Sequence, residues 1–337
     1  MLRAELEAWV EGQELPAFRA KQILEWVYRK GAASFEAMAN LPVELRQRLA
    51  AAFPLPLLKP EKVQYSEDGE TVKFLWALGD GKRVESVMIG APDRRTVCVS
   101  SQVGCPARCA FCASGKEGLV RDLTAREIVA QVLQIDGWLQ EKGEKVTHVV
   151  FMGMGEPLAN YEAVVEAVRA LVAPWGMGLS QRRVTVSTVG VVEGIDRLAA
   201  EEDLRVNLVL SLHAPNQNLR KKIIPFARKY ELGELLDAMD RYAGTTGRDV
   251  TFEYTMLAGL NDTMACADEL VALLRGKQCT VNLIPYNPIQ GFSLKRPAGE
   301  VIEAFRERLE AGGLNVTWRY TKGKDIAAAC GQLALIS

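Results

Sequence analysis

The chain has 337 residues, 48% of them hydrophobic, with a formal net charge of −1 at pH 7, which suffices for one large domain or two and leaves no global basic field. A nucleic-acid partner would therefore have to meet a local patch. No apolar run approaches the roughly 18–20 residues of a membrane span; Arg3, Glu5 and Glu7 spoil a secretory signal; and seven cysteines, three of them crowded together, fit a reducing cytoplasm better than a disulfide framework.

The first 58 residues or so read as helices. Leu2, Leu6, Trp9 and Val10 share one face. Pro16 is placed to open a second helix, with Phe18, Ile23, Leu24, Val27 and Tyr28 as its apolar stripe. Val43, Leu45 and Leu49 mark a third after Leu41-Pro42, and prolines at 54, 56 and 60 end the unit. Thr71–Leu78 and Lys82–Ile89 then flank Gly79-Asp80-Gly81, a hairpin signal. Val97–Ser100 reads as a short strand leading into a cysteine-rich loop.

From there strands and helices alternate. Strand patterns fall at His148–Met152, Arg183–Ser187, Val206–Leu212, Val250–Met256, Thr280–Ile284 and Val316–Tyr320. Helical patterns fall at Ala125–Leu139, Glu162–Leu171, Leu232–Tyr242, Ala265–Leu274 and Val301–Leu309. This alternation predicts an α/β fold, a parallel sheet with helices outside. A partial or full (β/α) barrel is expected, with an open doubly wound sheet as the alternative. The expected organisation is a helical unit at 1–60, a linker and β-hairpin at 61–95, and an α/β core at 96–337.

Cys105, Cys109 and Cys112 stand in the order C-x3-C-x2-C with no fourth cysteine nearby. Three thiolates can hold three irons of a [4Fe–4S] cube and leave the fourth open. An open metal position is where chemistry occurs, whereas structural zinc sites close with a fourth ligand. His213 or a distant cysteine would supply that ligand in a zinc knuckle, and three buried thiols are a further reading.

The other unusual residues cluster at the C-terminal ends of the expected strands, where α/β folds bind ligands. Gly153-Met154-Gly155-Glu156-Pro157-Leu158 starts like a dinucleotide fingerprint and fails at Leu158. It reads as a turn or as a close backbone approach to a ligand, with Glu156 accepting from an ammonium group. Ser187 and Ser211 more often cap helices, His213 is one of two histidines, and Asn287 sits between prolines. Cys98 and Cys330 also fall at the rim, where a thiolate can act as a nucleophile and two thiols can form a transient disulfide. Cys266 and Cys279 are assigned to packing. Glu85 alternates with apolar residues and reads as a solvent-facing strand position. Basic pairs such as Arg94-Arg95, Arg182-Arg183 and Arg220-Lys221-Lys222 read as solvated faces or as a lining of the active rim that meets phosphates.

The cysteine triad, with Phe111 before its last cysteine, resembles the radical S-adenosylmethionine (SAM) superfamily. With the segment Cys98–Cys105, the Gly-Glu-Pro loop, Ser211-Leu212-His213-Ala214-Pro215-Asn216 and the tail Ala328–Leu333, the whole chain resembles the RlmN family. That resemblance implies a radical SAM partial (β/α) barrel, with a small N-terminal helical domain that binds RNA and a β-hairpin extension. It implies methylation of carbon 2 of an adenine in 23S ribosomal RNA and also in transfer RNA. Carbon 8 of the same adenine, the target of Cfr-type relatives, is the alternative. So is a zinc-stabilised RNA-binding protein without catalysis. Cys105, Cys109 and Cys112 would hold a [4Fe–4S] cluster. Gly155, Glu156, Ser187, Ser211, Leu212, His213 and Asn287 would contact SAM. Cys330 would carry the methyl group, Cys98 would resolve the covalent enzyme–RNA bond by forming a disulfide, and Glu85 would accept a proton. The resemblance also implies a cytoplasmic monomer, with no membrane partner, that draws electrons from a flavodoxin or ferredoxin.

Overall fold

Three amphipathic helices begin the chain: α1 (Arg3–Gly12), α2 (Phe18–Tyr28) and α3 (Val43–Ala52). The structure is a computed structural model and describes residues 2–55, 58–318 and 322–334. The proline at 56 and the last two positions of the final expected strand, 319 and 320, lie outside the described residues. Leu6, Val10, Ile23, Leu24, Val27, Leu45 and Leu49 are buried, as their helical spacing requires. Phe18 and Val43 were expected in the apolar stripes but are exposed. Each is the first residue of its helix, where the side chain points away from the inter-helical seam.

Four strands follow: β1 (Lys59–Tyr65), β2 (Thr71–Ala77), β3 (Arg83–Ala91) and β4 (Arg94–Cys98), each antiparallel to the one before. The hairpin expected from the turn signal is β2–β3. The first strand has no apolar alternation to betray it. It is a largely exposed edge strand with a register shift beside Pro60, the place where a sheet tolerates proline.

A short ladder of β5 (Gln102–Gly104) and β6 (Leu119–Asp122) then pins both ends of the cysteine loop. Gly104 has φ +77, and a Cβ there would lie 2.0 Å from the Gly118 carbonyl oxygen. Only glycine permits that closure.

The remainder alternates as expected: α4 (Ala125–Gln140), β7 (His148–Phe151), α5 (Tyr161–Val172), β8 (Val184–Thr188), α6 (Val192–Ala200), β9 (Asn207–Ser211), α7 (Gln217–Ile223), α8 (Leu232–Thr246), β10 (Val250–Met256), α9 (Met264–Leu274), β11 (Cys279–Pro285), α10 (Gly299–Ala311) and β12 (Asn315–Trp318). The capping box of Thr124 and Glu127 starts α4. Strands β4 and β7 to β12 are parallel and lie side by side in chain order, in one ten-stranded sheet with β1 to β3.

A sheet that never reverses its strand order has no switch point. Right-handed crossovers then place every helix on the same side, so the sheet curls into a partial barrel rather than a doubly wound slab. The pleat gives the two faces opposite characters. Val149, Phe151, Val184, Val186, Leu208, Leu210, Phe252, Tyr254, Val281 and Leu283 point outward under the helices and are buried. Registered with each other on the inner face are Cys98 and Val150, Thr185 and Asn207, Ser211 and Glu253, and Asn282 and Thr317. Hydrogen bonds link Glu253, Asn282 and Thr317 across three strands.

Phe252→Ala on the outer face should cost about 3–5 kcal/mol in urea unfolding. Thr251→Ala, one residue away on the inner face, should cost less than about 1 kcal/mol.

Candidate active site

The inner face of the barrel encloses a cavity of about 500 Å³. Cys98, Ser187 and Ser211 face it at or near strand C-termini; Cys105, Cys109 and Cys112 meet them from the pinned loop, and Cys330 from the C-terminal segment. Gly155, Glu156, His213 and Asn287 complete the lining. Eleven of the expected site residues thus share one cavity, although they come from seven separate stretches of chain. Leu212 and Glu85 do not line it. Leu212 is fully buried, and its carbonyl accepts from Arg220 Nε at 3.2 Å.

Burial pushes the Cys105 thiol up to about 12, and Cys109 and Cys112 rise for the same reason. Cys105 and Cys112 also lie close enough to Cys109 to oppose its ionisation. Such thiols become thiolates when metal charge compensates them. Among the described residues, no three His, Cys, Asp or Glu groups gather tightly enough for a single ion. Separated thiols suit a cluster that takes one thiolate per iron. Ala107, Ala214, Ile223, Ile224, Leu257 and Tyr286 form an apolar shell around this loop.

The Gly-Met-Gly-Glu-Pro loop lies hard against the backbone after β4. Gly155 has φ +109, and a Cβ there would meet Ser101 Oγ at 2.6 Å and the Gln102 nitrogen at 2.8 Å. Burial raises Glu156 to about 7. Its Oε1 accepts from the Leu158 N–H at 3.0 Å and Oε2 from the Val189 N–H at 2.7 Å. The carboxylate organises the loop with these bonds, and its remaining lone pairs can still meet a ligand's ammonium group.

His213 also has a positive φ, of 56°. Its Nδ1 accepts the Thr255 N–H at 2.8 Å, so the ring proton sits on Nε2. Asn261 holds its carbonyl at 2.8 Å and Phe111 packs edge-on at 4.6 Å. Burial, then the Arg220 charge, lowers the imidazole to about 3, so the ring is neutral. Asn287 donates to the Cys330 carbonyl at 3.2 Å while its Oδ1 is buried with no hydrogen-bond partner among the described residues. That orphaned acceptor fits an amine of a ligand such as SAM.

Two expectations are corrected. Glu85 is 3% exposed rather than solvent-facing, because the C-terminal segment covers its side of the sheet. Arg94, Arg182 and Arg183 line the cavity at strand N-termini, so they ring the mouth opposite the cysteine rim.

Arg220 was hidden in a basic run. It is 1% exposed and donates to the carbonyls of Val189, Ser211 and Leu212. Burial lowers it to about 10, which leaves it charged, and it favours the thiolate of Cys109. Its position one turn before the buried Ile223 was the available signal.

A family model described as "Radical SAM superfamily" matches residues 99–270, and one described as "Ribosomal RNA large subunit methyltransferase N-terminal domain" matches residues 1–54. The chain belongs to the RlmN family of radical SAM proteins. It is 61% identical to the "Probable dual-specificity RNA methyltransferase RlmN 2" of Protochlamydia amoebophila, over 98% of this chain and 92% of that one. It is 46% identical to the corresponding RlmN of Deinococcus deserti, over 98% and 96%. The crystal structure of a radical SAM methyltransferase from Sphaerobacter thermophilus superposes with a TM-score of 0.96 at 49% identity, covering 99% of this chain and 97% of that one. As a radical SAM protein of this family, the chain uses a [4Fe–4S] cluster and SAM.

Because His213 is protonated less readily when folded than its ordinary 6.5, the unfolded chain binds an extra proton between pH 6.5 and about 3. Stability from this group is therefore present above 6.5 and is lost as pH falls. From about pH 6.5 to about pH 5, the wild-type chain should lose roughly 2 kcal/mol more than a His213→Asn chain in urea unfolding.

Proposed function

We propose that this protein methylates carbon 2 of an adenine in 23S ribosomal RNA and in transfer RNA, through a methyl group carried on Cys330. The observation that carries this reading is the meeting of Cys330 and Cys98 with the cysteine triad in one cavity. Carbon 2 of adenine is electrophilic, so polar methyl transfer from SAM is mismatched there and radical addition is not. When bound, the cluster and SAM supply one-electron cleavage of a carbon–sulfur bond.

The chain's own residues divide the remaining work. Cys105, Cys109 and Cys112 hold the cluster. Gly155, Glu156, Ser187, Ser211, His213 and Asn287, with the Leu212 backbone, hold SAM. Cys330 is the nucleophile that takes the methyl group, and its thiol is exposed. Glu85 accepts a proton from the adenine. Cys98 attacks the Cys330 sulfur, forming an S–S bond as the bond from that sulfur to the methylene carbon breaks; the electron pair goes to that carbon, which takes up a proton to become the methyl group on the base. The adenine must be splayed from its stack to reach these groups.

The helical unit at 1–60 serves as an RNA-binding accessory to the catalytic core at 96–337, with the antiparallel segment at 61–95 between them. Arg94, Arg182 and Arg183 are exposed at the far mouth of the cavity. None has an ion-pair partner among the described residues, which leaves them for phosphates. None of the described helices is long and apolar enough to cross a membrane. We read the protein as a cytoplasmic monomer supplied with electrons by a flavodoxin or ferredoxin.

The test is an anaerobic assay on unmodified ribosomal and transfer RNA, with mass analysis of the digested nucleosides. Wild type should yield 2-methyladenosine and Cys330→Ala none. Cys98→Ala should accumulate a covalent protein–RNA species on a denaturing gel. A product of 8-methyladenosine, or full activity in Cys330→Ala, would overturn the reading.

A further inference from the structure

The described C-terminal segment belongs to the antiparallel end of the sheet. Residues 322–334 lie over β2 and β3. The Glu67 N–H donates to Asp325 Oδ2 at 2.7 Å, and Gly323 rests on Thr71. Beneath this segment lies a buried ion pair. Lys73 Nζ stands 3.2 Å from Glu85 Oε1, with side-chain exposures of 5% and 4%.

Such a pair is a poor stabilising device, since apolar residues of similar volume usually serve as well. Leu75 and Val87, its neighbours on the same face, are apolar. The outward bonds of the pair show a different use. Lys73 Nζ donates to the Ala327 carbonyl at 3.4 Å, and the Ala334 N–H donates to Glu85 Oε2 at 2.9 Å. Both bonds go to one segment, before and after Cys330. On the other side the same loop is tied to the cysteine loop, where the Ala113 N–H donates to the Gly331 carbonyl at 2.8 Å. The pair also sits beside Cys98, because Val87, two residues along β3 from Glu85, is registered with Cys98.

We propose that Lys73 is a positioning residue. With Glu85 it forms a latch that holds the Cys330 loop closed over the cavity, within reach of Cys98. This rests on the reading of Cys330 as methyl carrier. Lys73 contacts neither cysteine thiol; its one link to the reacting groups runs through the Glu85 carboxylate. It acts by fixing the Glu85 carboxylate and the loop backbone, and removing it breaks the buried ion pair beneath the segment.

The experiment is hydrogen–deuterium exchange of the intact protein with its cluster reconstituted, beside RNA methylation kinetics. In Lys73→Met, exchange in residues 327–334 should rise about tenfold or more, with the β7–β11 core unchanged. The kcat for RNA methylation should fall about tenfold or more with KM for RNA nearly unchanged. Lys73→Arg should restore both. If Lys73→Met does not fold, Lys73→Met/Glu85→Met removes both charges and is read by exchange alone. Unchanged exchange in the segment, in whichever variant folds, overturns the latch. If Cys330→Ala still methylates RNA, the carrier reading falls while the exchange result still decides the latch.

Discussion

The constraint behind the rest of the structure is the one-directional order of the parallel strands. Each crossover moves to the next strand on the same side, so the helices can cover only one face of the sheet. That face takes the apolar residues of every strand. The other face curls around a space that none of the described helices fills, and there the strands carry Cys98, Thr185, Asn207, Ser211 and Glu253. An ordinary hydrophobic core therefore lies outside the barrel, and the polar interior is left free for a ligand.

That arrangement makes burial of polar groups the main electrostatic problem of the site. The backbone at the end of β8 solves part of it. The Val189 N–H meets Glu156 and the Val189 carbonyl meets Arg220, so one peptide segment satisfies a buried acid and a buried base. His213 is kept neutral by the same burial and oriented by Thr255. None of these groups gains from its charge as a stability device. Their value is a preorganised lining, fixed before any ligand arrives.

The C-terminal segment plays the complementary part. It spans the open side of the partial barrel and carries Cys330 to the cysteine loop, with its backbone held from both sides. A flexible tail with the same cysteine would sample the cavity only occasionally. Tying the carbonyls and N–H groups around Cys330 to rigid strands raises its effective concentration at the site.

Much of this was legible in the residues themselves. The spacing of Cys105, Cys109 and Cys112 depends only on local chemistry, and the alternation of period-2 and period-3.6 segments dictates a parallel α/β sheet. Strand-end residues such as Ser187, Ser211 and Asn287 could be placed on one rim because chain direction in a parallel sheet places them there. The first strand, Lys59–Tyr65, escaped notice because an exposed edge strand needs no apolar pattern. Glu85, Lys73 and Arg220 were misjudged or missed for a deeper reason. A two-residue period says which residues share a face, but not whether that face meets water. That was decided by chain far away in sequence: residues 322–334 for Glu85 and Lys73, and the carbonyls at the ends of β8 and β9 for Arg220. Local sequence therefore determined the chemistry and the order of elements, while tertiary packing alone decided which charges are buried and what each one holds.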